Sequence, residues 1–211
     1  MNRKVSRFII AAIAVTLLWP LGDVALGITG EQEITRLAEL TQWKEGTVVA
    51  DIGAGEGTYS FLVAEKVGSS GRVYATEIDQ EKLQSLKAEA AKRRLQNIVV
   101  VEGTADDTKL PSSCCDTIFL RHVYHHITRP QEFDRTLVRS LKPGAYLAII
   151  DFPPDPNLPP VEGVPNNRGG HGIPQKVTVA ELTAAGLHVE RVIGDWSGRD
   201  YCVIFRRANR E

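Results

Sequence analysis

Val48-Val49-Ala50-Asp51-Ile52, followed directly by Gly53-Ala54-Gly55-Glu56-Gly57, decides the fold. The first five residues form a short, nearly all-apolar run, the mark of a strand covered on both faces. The glycines at 53, 55 and 57 break the run. They let the backbone turn tightly and approach a ligand without Cβ interference. A helical stripe resumes from Thr58 to Val67.

The same alternation extends in both directions. Upstream, Thr29 to Trp43 carries apolar residues at Ile34, Leu37, Ala38 and Leu40, a helical spacing. Downstream, Arg72 to Ile78 reads as a strand, and Asp79 caps a helix running to about Leu95. Ile98–Val101 and Asp116–Leu120 are further strands. Pro130–Leu141 is a helix with proline in its first turn. Lys142-Pro143-Gly144 leads into a strand from Ala145 to Asp151. Val177–Ala185 is a last helix, stopped by Gly186. Leu187–Ile193 and Tyr201–Phe205 can form an antiparallel pair. The expected class is α/β: a Rossmann-like, doubly wound, mostly parallel sheet with an antiparallel C-terminal strand pair and helices on both faces.

Composition agrees with one globular domain. The chain has 211 residues, 43% hydrophobic and 24% charged, with a net charge of −1. These values exclude a disordered chain, a collagen, a coiled coil and a multi-span membrane protein. No basic field exists to hold nucleic acid, so none is expected as a partner.

The first 27 residues differ from the rest. Arg3, Lys4 and Arg7 form a basic head, and residues 8–22 carry no charge. Ala25-Leu26-Gly27 follows as a small-x-small triplet. This is the pattern of a signal peptide or signal-anchor over 1–27, with the globular domain over 28–211. The apolar run is shorter than the ~20 residues of a comfortable span. Membrane attachment through residues 8–22 is the alternative to cleavage. The positive-inside rule places the remainder across the membrane, exported or anchored. Without residues 1–27 the net charge is −3.

In a doubly wound sheet, ligands bind beyond the carboxyl ends of the strands, where the strand order reverses. The glycine turn ends the first strand. Glu77 ends the second, 24 residues beyond Gly53. A carboxylate there is placed to accept hydrogen bonds from ribose hydroxyls. A diphosphate cofactor wants G-x-G-x-x-G, whereas the spacing here is G-x-G-x-G with Glu56 inside the turn. Glu56 and Asp51 would repel phosphates that a helix N-terminus otherwise attracts. Acids in the turn suit S-adenosylmethionine, which carries an ammonium and a sulfonium and no phosphate.

Residues 48–57 resemble the first motif of class I S-adenosylmethionine-dependent methyltransferases. Val73–Asp79 resembles the second strand of that family and its ribose-binding acid. Val101-Glu102-Gly103-Thr104-Ala105-Asp106 resembles the loop that touches adenine. Thr104 stands where the family commonly has Asp, which would pass the amino contact to Asp106 or Asp107. Asp116–Leu120 with His125-His126, and Leu141–Gly144, resemble the fourth strand with its helix and the turn into strand five. The likeness covers roughly residues 45 to 152 and is closest to the small-molecule branch, similar to ubiquinone/menaquinone-biosynthesis and arsenite methyltransferases. It implies cofactor contacts from Asp51, Gly53, Ala54, Gly55, Glu56, Gly57, Glu77, Ile78, Thr104, Ala105, Asp106 and Arg121.

A sulfonium is already activated, so positioning carries most of methyl transfer. A hydroxyl or acidic-carbon acceptor also needs a base. His122 and His125 are the candidates, and Asp151 ends strand five where it could line the acceptor pocket. The alternative is that these histidines cap and pack the next helix. His122, His125, His126, Asp151 and His171 have metal-ligand chemistry, but adjacent histidines diverge on a helix, so no metal is expected. Cys114-Cys115 reads as free turn or buried thiols, with a vicinal disulfide the alternative in an oxidising compartment. Asn166, Asn167, Arg168 and His171 are expected to project from a Pro-rich loop, residues 152–174, acting as a substrate lid.

Three functions are compatible with these residues. One is methyl transfer to a small molecule. Another is a non-catalytic nucleoside-binding protein, which an export signal favours because the methyl donor is made in the cytoplasm. The third is a nicotinamide oxidoreductase, disfavoured by the glycine spacing.

Overall fold

The computed structural model describes residues 28–209. The segment read as an export signal or anchor lies outside them. Among the described residues, no helix is long and apolar enough to cross a membrane.

The chain runs α1 (Gly30–Leu40), β1 (Val48–Ile52), α2 (Thr58–Val67), β2 (Arg72–Glu77), α3 (Gln80–Lys92), β3 (Ile98–Glu102) and β4 (Cys115–Arg121). It continues through α4 (Pro130–Ser140), β5 (Leu141–Asp151), α5 (Gln175–Ala184), β6 (Leu187–Ser197) and β7 (Asp200–Arg207). The strands form one sheet in the order β3-β2-β1-β4-β5-β7-β6. β1 pairs in parallel with β2 on one side and β4 on the other. The strand order therefore reverses between β1 and β4. β7 inserts antiparallel between β5 and β6, as the two C-terminal apolar runs predict.

Local chemistry explains the boundaries. Thr29 and Gln32 form a capping box that opens α1. The Asp79 carboxylate accepts from the Glu81 and Lys82 amides and opens α3. The inner strands read as unbroken apolar runs because each face meets a different core. Ala50, Ile118, Leu120, Leu147, Ile149 and Val203 face a cluster completed by Phe133 and Leu137 of α4 and Leu182 of α5. Their neighbours Val49, Phe119, Ala148, Ile150 and Ile204 face Ile34 and Leu37 of α1 and Val63 and Val67 of α2.

Cys114 and Cys115 are paired as a vicinal disulfide where β4 begins, so the expectation of free thiols does not hold for them. Cys202 is the buried free cysteine, and burial pushes its thiol well above the ordinary range.

Candidate active site

A cleft of about 420 Å³ opens at the reversal point between β1 and β4. That is within the usual size of a small-molecule site. A cleft of similar size lies at the opposite ends of the strands, around Thr47, Asp116 and Lys142. It lacks the glycine turn, and an ion pair between Lys142 and Asp116 spans it. The topology rule and the glycine turn both select the first.

The turn after β1 is built by backbone. Gly53 and Ala54 donate to the Thr76 carbonyl at 2.9 and 2.8 Å, tying the turn to β2. All three glycines have positive φ, from +57 to +89. At Gly53 a Cβ would lie 2.5 Å from Val123 Cγ2, and at Gly57 2.7 Å from the Phe61 ring. A Cβ at Gly55 would meet nothing within 4 Å. Gly53 and Gly57 are thus required by the fold, whereas Gly55 leaves open room at the cleft.

Glu77 stands at the cleft as expected, 8% exposed. Its carboxylate accepts from the amides of Gly55 at 2.9 Å, Ile78 at 2.7 Å and Asp79 at 3.1 Å. Ile78 lies beside it, 61% exposed, an apolar surface for a flat base. Thr104 and Ala105 line the opposite wall.

Other residues expected at the cofactor lie elsewhere in the fold. Glu56 is exposed and lines a groove with Phe61 and Arg93, not the cleft. Ala54 and Gly57 serve the turn through their backbone and do not line the cleft. Asp106 is held outside by Arg129 at 2.5 Å and by the Thr104 hydroxyl at 2.7 Å, and the hydroxyl lowers its carboxyl below the usual range. Its neighbour Asp107 lines the cleft together with Glu77.

Asp51 sits beneath the turn, 3% exposed, and accepts from Ser60 Oγ at 2.7 Å. Burial pushes its carboxyl up to about 7, with the Ser60 hydroxyl opposing and the Glu77 charge adding. Asp134 is also pushed up to about 7 by burial. A carboxyl with a raised folded pKa holds a proton in the native state after the unfolded chain has lost it. Each therefore makes stability fall as pH rises from about 4 to about 7, with no change outside that window. Burial lowers the His126 imidazole to about 4, which acts in the opposite direction below its ordinary value of 6.5. Comparing wild type with Asp51→Asn at each pH cancels the other groups. Urea unfolding at pH 5 and pH 8 should show the variant gaining on wild type as pH rises; an equal gap at both would refute the Asp51 assignment.

The catalytic candidates part company. His122 lines the cleft in a left-handed conformation, φ +56. Such backbone in a non-glycine residue clusters at functional sites. Its Nε2 lies 2.7 Å from Asp200 Oδ2 and its Nδ1 3.3 Å from Arg121 Nη1. A guanidinium only donates, so this geometry makes Nδ1 the acceptor and Nε2–H the donor to Asp200. Arg121 would have to release Nδ1 before His122 could take a proton. Asp151 does not line the pocket. It is fully buried and accepts from the His125 amide at 3.1 Å, the His125 ring Nδ1 at 2.8 Å and the Phe152 amide at 2.9 Å. Its role is to position His125, which is 2% exposed.

The expectation that His125 and His126 diverge also fails. Tyr124–His126 is a single 3-10 turn, not the start of a long helix. The His125 and His126 rings lie 4.0 Å apart, and His171 stands 5.2 Å from His125. Arg168 does not project from the Pro-rich segment but is buried at 1% exposure. Its guanidinium donates to the carbonyls of Ile127 at 2.5 Å and Tyr124 at 3.0 Å and to Glu181 at 3.0 Å. It clamps residues 152–174 and α5 onto the histidine turn.

Sequence reading missed Asp200 and Glu33. Glu33, 1% exposed, accepts from Arg121 Nε at 3.0 Å, Tyr59 Oη at 2.7 Å and Trp196 Nε1 at 2.7 Å. These partners lie 26 to 163 positions away, so no local pattern marks them.

A family model described as a methyltransferase domain matches residues 43–181. The chain belongs to this family. The methyltransferase domain is 26% identical over 121 residues to demethylmenaquinone methyltransferase of Listeria monocytogenes, covering 57% of this chain and 51% of that protein. It is 31% identical over 115 residues to the chloroplastic 2-phytyl-1,4-beta-naphthoquinone methyltransferase of Arabidopsis thaliana, covering 52% of this chain and 43% of that one. The chain spans about half the length of these curated relatives. Among solved structures, a SAM-dependent methyltransferase from Aquifex aeolicus superposes with a TM-score of 0.70 at 28% identity, over 85% of this chain and 93% of that one.

Proposed function

We propose that this methyltransferase domain binds S-adenosylmethionine in the β1–β4 cleft and transfers its methyl group to a small molecule of quinol type. One observation carries the reading: the Gly55 amide, which in a dinucleotide site would face a phosphate, donates instead to the Glu77 carboxylate. An incoming diphosphate would meet a negative charge, while ribose hydroxyls and a cationic donor would meet an acceptor. The relatives named for demethylmenaquinone and phytyl-naphthoquinone support a quinol-type acceptor.

When bound, the cofactor supplies an electrophilic methyl group. The chain's own residues bind and orient it. Glu77 would accept from the ribose hydroxyls, and Ile78, Thr104 and Ala105 would hold the adenine. Arg121, His122 and His126 form the acceptor end of the cleft, where the Phe152 ring packs edge-on against His122 at 5.2 Å.

Glu77→Gln tests the site. Losing a charged acceptor from two hydroxyls should weaken S-adenosylmethionine by about 1–3 kcal/mol, roughly 5- to 150-fold in Kd by calorimetry. Unchanged affinity, or heat on mixing with NADH and none with S-adenosylmethionine, would refute it. Formation of S-adenosylhomocysteine with a quinol separates transfer from binding alone.

A further inference from the structure

We propose that His125, His126 and His171 form a binding site for a divalent transition-metal ion at the acceptor end of the cleft. One ring nitrogen from each lies within 4.8 Å of the others. A second observation is independent of that spacing. His125 Nε2 is the one buried side-chain nitrogen or oxygen without a hydrogen-bond partner among the described residues. Buried polar atoms are nearly always paired, so an orphan calls for a ligand.

Hydrogen bonds already orient two of the rings. His125 Nδ1 lies 2.8 Å from Asp151 Oδ1, and that carboxylate also takes two backbone amides, so the ring nitrogen donates. His171 Nδ1 lies 2.9 Å from the Pro159 carbonyl, which can only accept. Each ring therefore carries its proton on Nδ1 and presents the Nε2 lone pair. A carboxylate or carbonyl behind a histidine is the usual support for a metal ligand.

The donor set selects the ion. Three imidazoles suit zinc, cobalt, nickel or copper, whereas magnesium and calcium want oxygen. Tetrahedral bonds of ~2.0–2.1 Å put ligand nitrogens roughly 3.4 Å apart. From their present separation of up to 4.8 Å, closing to that spacing requires rotation of the exposed His126 ring and a shift of the His171 loop. Three protein ligands leave a coordination position open. His126 also lines the cofactor cleft, so that position is next to the acceptor. Resting on the methyltransferase reading, its use is to hold an acceptor oxygen: the O–H bond breaks, the proton leaves to water and the electron pair binds the ion.

Cobalt(II) titration of the full chain, made without a polyhistidine tag, tests the site by visible absorption. One equivalent should produce the strong bands of a four-coordinate centre, and zinc should displace it. Removing a supporting partner already costs 10–100-fold, so His126→Ala and His171→Ala should each weaken cobalt by about 100-fold or more. His188→Ala, on the exposed face of β6, should change nothing. No cobalt bands, or equal affinity in wild type and both ligand variants, would overturn the site. Calorimetry with S-adenosylmethionine on the same samples reads the other assignment: a chain that takes the donor but no cobalt overturns only the metal site, and one that takes cobalt but no donor overturns only the cofactor reading.

Discussion

Gly55→Val is expected to abolish S-adenosylmethionine binding while leaving a folded domain. The backbone at Gly55 has φ +57, which costs an L-residue roughly 1–2 kcal/mol. A domain stable by about 5–15 kcal/mol survives that loss. A Cβ at this position meets no protein atom within 4 Å, so its first added carbon clashes with nothing. The same open room is where the donor must approach the backbone, beside the amide that reaches Glu77 at 2.9 Å. Affinity should fall by roughly 100-fold or more, read by calorimetry beside a urea melt. Gly53→Ala should reverse the pattern, because its Cβ would strike Val123 at 2.5 Å and stability fails first. Normal donor affinity in folded Gly55→Val would show that the turn has no ligand role.

Glu33→Ala should cost about 3–5 kcal/mol of folding stability, the usual loss when one partner of a buried ion pair is removed. The carboxylate joins α1 to β4 through Arg121, to α2 through Tyr59 and to β6 through Trp196. Alanine would remove the acceptor of the Tyr59 hydroxyl, the Trp196 indole N–H and Arg121 Nε, while the Arg121 guanidinium keeps Asp200 at 3.7 Å. Arg36 holds the same strand, donating to the Trp196 carbonyl at 2.9 Å and lying over its ring at 4.5 Å, so β6 would not detach outright. Glu33→Gln keeps an acceptor and should lose less. Urea unfolding of both variants measures the difference, and a loss below about 1 kcal/mol for alanine would show that the network contributes little. Arg121 lines the cleft, so this distant glutamate also sets the shape of the acceptor end.

The amino-acid sequence by itself determined the alternation of strands and helices, the glycine turn and the acid that ends β2. Those features are short-range: an apolar run, a residue without Cβ, a carboxylate at a strand end. They also implied that the strand order reverses somewhere in the sheet, and the folded chain placed that reversal between β1 and β4. Glu56 shows where local reading stops. Its place inside the turn says nothing about direction, and the backbone sends its side chain away from the cleft. The folded chain alone decided which residues share a space. It set Glu33 beside Arg121 across 88 positions and Asp200 beside His122 across 78. It wound Tyr124–His126 into one tight turn, and Arg168, inside the core, fastens that turn to the Pro-rich segment that carries His171. Burial gives the reason: a charged group taken out of water must find its partner wherever the chain brings one, and that distance in space leaves no period or motif in the sequence.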